Sequence, residues 1–175
     1  MNDPRFTGLT DAYAFPAAKD DSGPANWDSH KGLPATLEFV VHIDGADGSI
    51  FESGKQTQLD VVDGVLRGTV QSFYSWRVEY RLMPEDLNRF IHVVFVIDKT
   101  GEELKLYVDG ALKDSQSYPG IDWSNVVRTG LGRGGRLYGG SANDFTGKMA
   151  IFRFYRNKVF SDAEVATNFV ALTSI

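Results

Sequence analysis

The chain has no cysteine among its 175 residues. Disulfide bonds, thiolate zinc sites and a cysteine nucleophile are therefore excluded. Histidine is almost as scarce: His30, His42 and His92 stand far apart and lack the spacing of a zinc site. Lys and Arg never form a block, and the formal net charge is -5. The basic face of a duplex-binding protein is missing, which argues against a nucleic-acid partner. Arg128, Arg133 and Arg136 form only a small cluster interrupted by glycine. No apolar run approaches the roughly 18 residues of a membrane span, so no membrane insertion is expected. No N-terminal apolar run resembles a signal peptide. The absence of cysteine leaves the cellular compartment open.

What is present is apolar and aromatic. Hydrophobic residues make up 42% of the chain, with twelve Phe and seven Tyr, too many for a disordered polymer. The length suits one domain with its own core, and we expect residues 1–175 to form a single domain. No repeat or low-complexity linker divides them. The 18 glycines follow no collagen period and fit turns between short strands.

Local patterns predict those strands. ATLEFVVHID, from Ala35, is rich in β-branched and aromatic residues. FTGLTDAYAF is a candidate edge strand, and SIFES a short one. KQTQLDVV and VLRGTVQS are separated by Asp63-Gly64, a strong hairpin signal. In FYSWRVEYRL, Trp76, Val78, Tyr80 and Leu82 share one face and Arg77, Glu79 and Arg81 the other. Pro84 then ends the ladder. FIHVVFVID is nearly all apolar and reads as a central strand. After a turn at residues 99–102, ELKLYVDG places Leu104, Leu106 and Val108 inward and Lys105 and Tyr107 outward. A further short strand after Ala111, NVVRTGLG and FTGKMAIFRFYR complete the set. Ser161 followed by Glu164 forms a capping box that opens a short C-terminal helix. The expected fold class is all-β, a two-sheet antiparallel sandwich.

From Arg89 onward the order of motifs resembles the laminin-G-like, pentraxin-related branch of the concanavalin A-like jelly rolls. The matching segments are Phe90-Ile91-His92-Val93, Leu104 to Gly110, Leu131-Gly132, Phe145 to Met149, Arg153-Phe154-Tyr155 and Ser161 to Val165. Upstream, Leu37 to Val41 and Ile50 to Gly54 resemble the first core strands of the same family. Phe90 stands where the family usually has Trp. The resemblance implies a jelly-roll sandwich and a lectin-like or adhesive role, but the fold also carries hydrolases and lyases.

The sequence offers little for catalysis. No strand bears the period-two carboxylates that retaining glycoside hydrolysis needs. Gly-x-Ser-x-Gly is absent, and the glycines of GLGRGGRLYGG follow no βαβ unit. Arg77-Val78-Glu79-Tyr80-Arg81 resembles a polysaccharide-lyase strand, with His92 the candidate histidine to accompany it as acid/base. The same residues also read as a surface charge ladder. The leading expectation is a non-catalytic recognition module, with a polysaccharide-active enzyme and a structural or assembly domain as alternatives. Its partner would be a glycan or an extracellular or cell-surface protein.

Sugar recognition calls for flat aromatics and planar polar donors at a rim. Trp27, Trp123, Tyr118 and Tyr138 fall in predicted loops, and Arg133 and Arg136 bracket a glycine-rich segment near Tyr138 and Asn143. The candidate ligand contacts are Arg133, Arg136, Tyr138, Asn143, Trp27 and Trp123. Calcium is the candidate cofactor. It takes oxygen ligands from turns, and the resemblance implies a rim site near Asp144, with Asp44 and Asp47 able to add carboxylates. Aspartates also occur in turns for purely local reasons.

Overall fold

The computed structural model describes residues 13–14, 34–44, 47–53, 57–70, 76–120, 129–131 and 145–174. The strands among them are β1 (Tyr13–Ala14), β2 (Ala35–Ile43), β3 (Gly48–Ser53), β4 (Thr57–Val62), β5 (Val65–Val70), β6 (Arg77–Arg81), β7 (Phe90–Asp98), β8 (Glu103–Val108), β9 (Ala111–Ser117), β10 (Thr129–Leu131) and β11 (Gly147–Arg156). One helix, α1 (Asp162–Thr173), follows. A six-stranded sheet runs β1-β11-β2-β7-β8-β9, and a five-stranded sheet runs β10-β3-β4-β5-β6. All the pairings are antiparallel. This is the two-sheet sandwich with a short C-terminal helix that the sequence predicts.

The hairpins form where turn chemistry asks for them. Val62 pairs with Val65 across Asp63 (φ 51°) and Gly64 (φ 71°). Positive φ at both central residues is the two-residue turn whose twist matches the flanking strands. Between β7 and β8, Asp98 Oδ1 accepts the amides of Thr100 (3.0 Å) and Gly101 (2.8 Å), so the side chain bends the backbone. Inward residues of both sheets meet in one core. Phe39 and Phe152 stack at 5.0 Å, and Phe51 lies 5.8 Å from Phe152. Gly68 admits the Phe95 ring, since a Cβ there would come within 2.6 Å of its Cε2.

A third layer covers one outer face. Val94, Val96 and Tyr107 on the outward side of the six-stranded sheet pack against Phe160 and Val165, and Val40 packs with Leu172 and Phe169. β2 and β7 are thus buried on both sides, which is why they read as nearly continuous apolar runs. The helix starts at the expected capping box: Ser161 Oγ accepts the Glu164 amide (3.3 Å) and Glu164 Oε2 accepts the Ser161 amide (2.9 Å).

Two aromatic positions differ from expectation. Tyr107 does point away from the sandwich, yet α1 covers it to 1% exposure and its hydroxyl donates to Asp162 at 2.7 Å. Burial, reinforced by Asp162, pushes its pKa above the usual tyrosine value. Tyr118, expected in a rim loop, is a core residue at 1% exposure, with its ring 4.3 Å from that of Trp76. β9 ends at Ser117, and the Tyr118 amide donates to the Glu102 carbonyl, which turns the ring inward.

Candidate ligand-binding face

The outer side of the five-stranded sheet is polar by register. Ser49, Asp60, Arg67 and Glu79 are in line across β3 to β6, and Glu52, Gln58, Thr69 and Arg77 form a parallel row. Alternation sends these side chains outward because their neighbours Leu59, Leu66 and Val78 fill the core. Arg67 grips Asp60 as a fork, Nε to Oδ1 and Nη2 to Oδ2, both at 2.9 Å. Arg77 Nε lies 2.9 Å from Glu79 Oε1, with both side chains well exposed. Ser49, Glu52 and Asp60 are buried although they belong to the outward rows. No aromatic residue belongs to the outward rows of β3 to β6 among the described residues. This surface can offer planar hydrogen-bonding groups but no stacking platform of its own.

β10 borders this sheet and leads into the segment that carries the predicted sugar contacts. Leu131 pairs with Phe51 where the segment begins. Beyond it, Phe145 is buried and the Thr146 carbonyl accepts the Asp44 amide at 3.0 Å. Arg133, Arg136, Tyr138, Asn143 and Asp144 lie between these points in sequence, outside the described residues, as do Trp27 and Trp123.

Of the proposed calcium ligands, Asp44 and Asp47 are described, and both are exposed. Asp44 Oδ1 lies 2.5 Å from His42 Nδ1, an ion-pair distance without hydrogen-bond alignment. Asp47 Oδ1 accepts the Asp63 amide at 2.6 Å. Two carboxylates already engaged fall short of the about 6–8 oxygens calcium takes. No group of three or more His, Asp or Glu side chains suited to a metal ion occurs among the described residues.

A dense titratable cluster, not anticipated from the sequence, lies on the opposite face. Glu38 on β2 is fully buried. Its Oε1 is 3.0 Å from His92 Nε2 and 3.1 Å from Asn168 Nδ2, and its Oε2 accepts from Tyr155 (2.8 Å) and Arg153 (3.2 Å). His92 stacks on Phe169 of α1 at 5.9 Å. Burial would raise the Glu38 pKa, but the hydrogen bonds from His92 and Tyr155, with the charges of His92 and Arg153, hold it at about 2. A carboxylate held ionised beneath a helix and saturated with donors is a poor general acid or base. It serves instead to tie α1 to the sheet and to link the side chains of β2, β7 and β11. The only hint in the sequence is a glutamate in an otherwise apolar strand.

The lyase-like constellation does not assemble. Arg77 projects from the outer face of the five-stranded sheet, whereas His92 sits on the outer face of the other sheet, under α1. The packed core lies between them, so the two cannot share one substrate. Arg77, Glu79 and Arg81 form the charge ladder instead, with Arg81 donating to the Asp63 carbonyl at 3.4 Å.

Antiparallel two-sheet sandwiches are an architecture that lectin domains share with other proteins. The chain belongs to the Laminin_G_3 family of the concanavalin A-like lectin/glucanases superfamily, which its residues 16–166 match. Among solved structures, it is similar to the CBM40 domain of the Ruminococcus gnavus IT-sialidase (14% identity, TM-score 0.70), covering 94% of this chain and 97% of that one. The same domain has been solved bound to alpha2,3 sialyllactose. The leech intramolecular trans-sialidase is also similar (13% identity, TM-score 0.69), over 91% of this chain and 26% of that one. A third is the binding domain of botulinum neurotoxin DC in complex with SialylT (11% identity, TM-score 0.64), over 93% of this chain and 45% of that one. The chain thus spans less than half of the trans-sialidase and neurotoxin chains. No curated protein matches it in sequence.

Proposed function

We propose that this chain is a non-catalytic carbohydrate-binding module that recognises glycans of extracellular or cell-surface molecules. The observation that carries this reading is the near end-to-end similarity to the R. gnavus CBM40 domain, whose chain is matched over 97% of its length. Supporting it are the family membership and the failure of Arg77 and His92 to meet. In this reading the ligand is met by loop residues whose chemistry suits a sugar. Arg133, Arg136 and Asn143 are the candidate planar donors, and Tyr138, Trp27 and Trp123 the candidate stacking rings. Calcium, held by Asp144 with help from Asp44 or Asp47, is an auxiliary ligand in this reading.

Sialylated glycans are the first to test, because three of the similar solved structures hold sialyllactose or SialylT. Isothermal titration of the folded chain with 3′-sialyllactose, 6′-sialyllactose and lactose, followed by a broad glycan array, is the experiment. Binding to at least one glycan is expected, and it should weaken strongly in Arg133→Ala/Arg136→Ala. A folded chain silent across the array, with calcium and with EDTA, would overturn the proposal. Equal binding in both conditions would remove calcium alone.

A further inference from the structure

β6 ends the five-stranded sheet and β9 ends the six-stranded one, so among the described residues each has an edge with no further strand hydrogen-bonded to it. Such edges carry a row of backbone donors and acceptors that can recruit another chain. On β6 the direction of the free groups follows from register. Val70 N donates to Trp76 O (3.2 Å) and Leu82 N to Gly64 O (3.0 Å), so the even-numbered residues of this segment bond toward β5. The amides of Arg77 and Glu79 therefore face the open side.

Those two amides are capped from the other sheet. Glu79 N donates to Asp114 Oδ2 at 2.8 Å, and Arg77 N donates to Gln116 Oε1 at 3.1 Å. Asp114 and Gln116 lie on β9 opposite Leu106 and Leu104, in the row where β8 presents core leucines. An apolar pair there would fill the margin of the core. The two polar side chains cross to the partner sheet's edge instead. Lys113 makes the same crossing, its Nζ 5.0 Å from the centre of the Tyr80 ring. Three neighbouring β9 residues thus close one side of the sandwich.

We propose that this seam prevents self-association: Asp114 and Gln116 occupy the donors through which β6 would otherwise pair with β6 of a second copy. The wild-type chain then stays monomeric through this edge, and losing both caps converts β6 into a docking strand for another molecule of the same protein. The inference is independent of the carbohydrate reading.

Amide hydrogen exchange and light scattering over a concentration series test it. In the wild type, the Arg77 and Glu79 amides should be protected. In Asp114→Ala/Gln116→Ala they should exchange about tenfold faster in dilute solution, the loss expected for one hydrogen bond each. At high concentration the variant should form dimers in which both amides regain protection. Asp114→Asn, which keeps an acceptor oxygen, should remain monomeric. If the double variant does not fold, Gln116→Ala alone decides, read at Arg77. Wild-type amides that exchange like exposed turn amides, wild-type dimers formed through β6, or a folded capless variant that stays monomeric would each overturn the proposal.

Discussion

The two outer faces of the sandwich use the same side-chain chemistry to different ends. On the six-stranded sheet, Glu38 meets Arg153, His92, Tyr155 and Asn168 beneath α1 and is cut off from water. On the five-stranded sheet, Glu79 meets Arg77 in solvent. A buried carboxylate must be fully satisfied, and removing one partner leaves an uncompensated charge. An exposed pair is screened by water and contributes little. The buried cluster under α1 therefore helps to hold the fold together, whereas the solvent-exposed Arg77–Glu79 pair adds little to it.

Glu38→Ala should break this contrast most severely. It leaves the fully buried His92 ring and the Tyr155 hydroxyl without their acceptor, and urea denaturation should show a loss of about 3–5 kcal/mol. Acid should act on the same group reversibly. The Glu38 carboxyl is lowered from 4.5 to about 2 on folding. Its contribution is therefore complete above about pH 4.5, declines as the pH falls, and is lost below about pH 2. That contribution is worth about 3 kcal/mol. Comparing urea midpoints of the wild type and Glu38→Gln between pH 6 and pH 2.5 isolates it, because the other carboxylates titrate in both. A variant as pH-sensitive as the wild type would contradict the assignment.

Tyr107→Phe removes the hydroxyl bond to Asp162 while leaving the ring under α1. A loss of about 1 kcal/mol is expected, together with faster amide exchange in the first turn of α1. On the open face, Glu79→Ala should change stability by less than about 0.5 kcal/mol, measured the same way. A large loss there would mean that the two faces are less different than their exposure indicates.

Much of the fold was legible because its signals are local. Alternation in residues 76–82 reports one core-facing row, Asp63-Gly64 reports a two-residue turn, and Ser161 with Glu164 reports a helix start. Each needs only neighbours a few positions away. Alternation also tells which way Tyr107 points but not what lies beyond it, since its cover arrives with Asp162, 55 residues later. Tyr118 looked like a loop residue because the inward turn depends on Glu102 and on the ring of Trp76. For the candidate site, the charged outward row was readable from period two, while the rim contacts rest on residue type alone.

The amino-acid order by itself determined the strands and their turns, because backbone propensity and period-two burial act over a few residues, and its motif order carried the resemblance to the lectin-like family. Tertiary structure alone decided that Glu38 becomes an anchor, that Arg77 and His92 face away from each other, and that Asp114 and Gln116 close an edge. These roles depend on groups 15 to 130 positions apart in the chain, and only the packing of two sheets and a helix sets the distances and the exclusion of water that give each charge its effect.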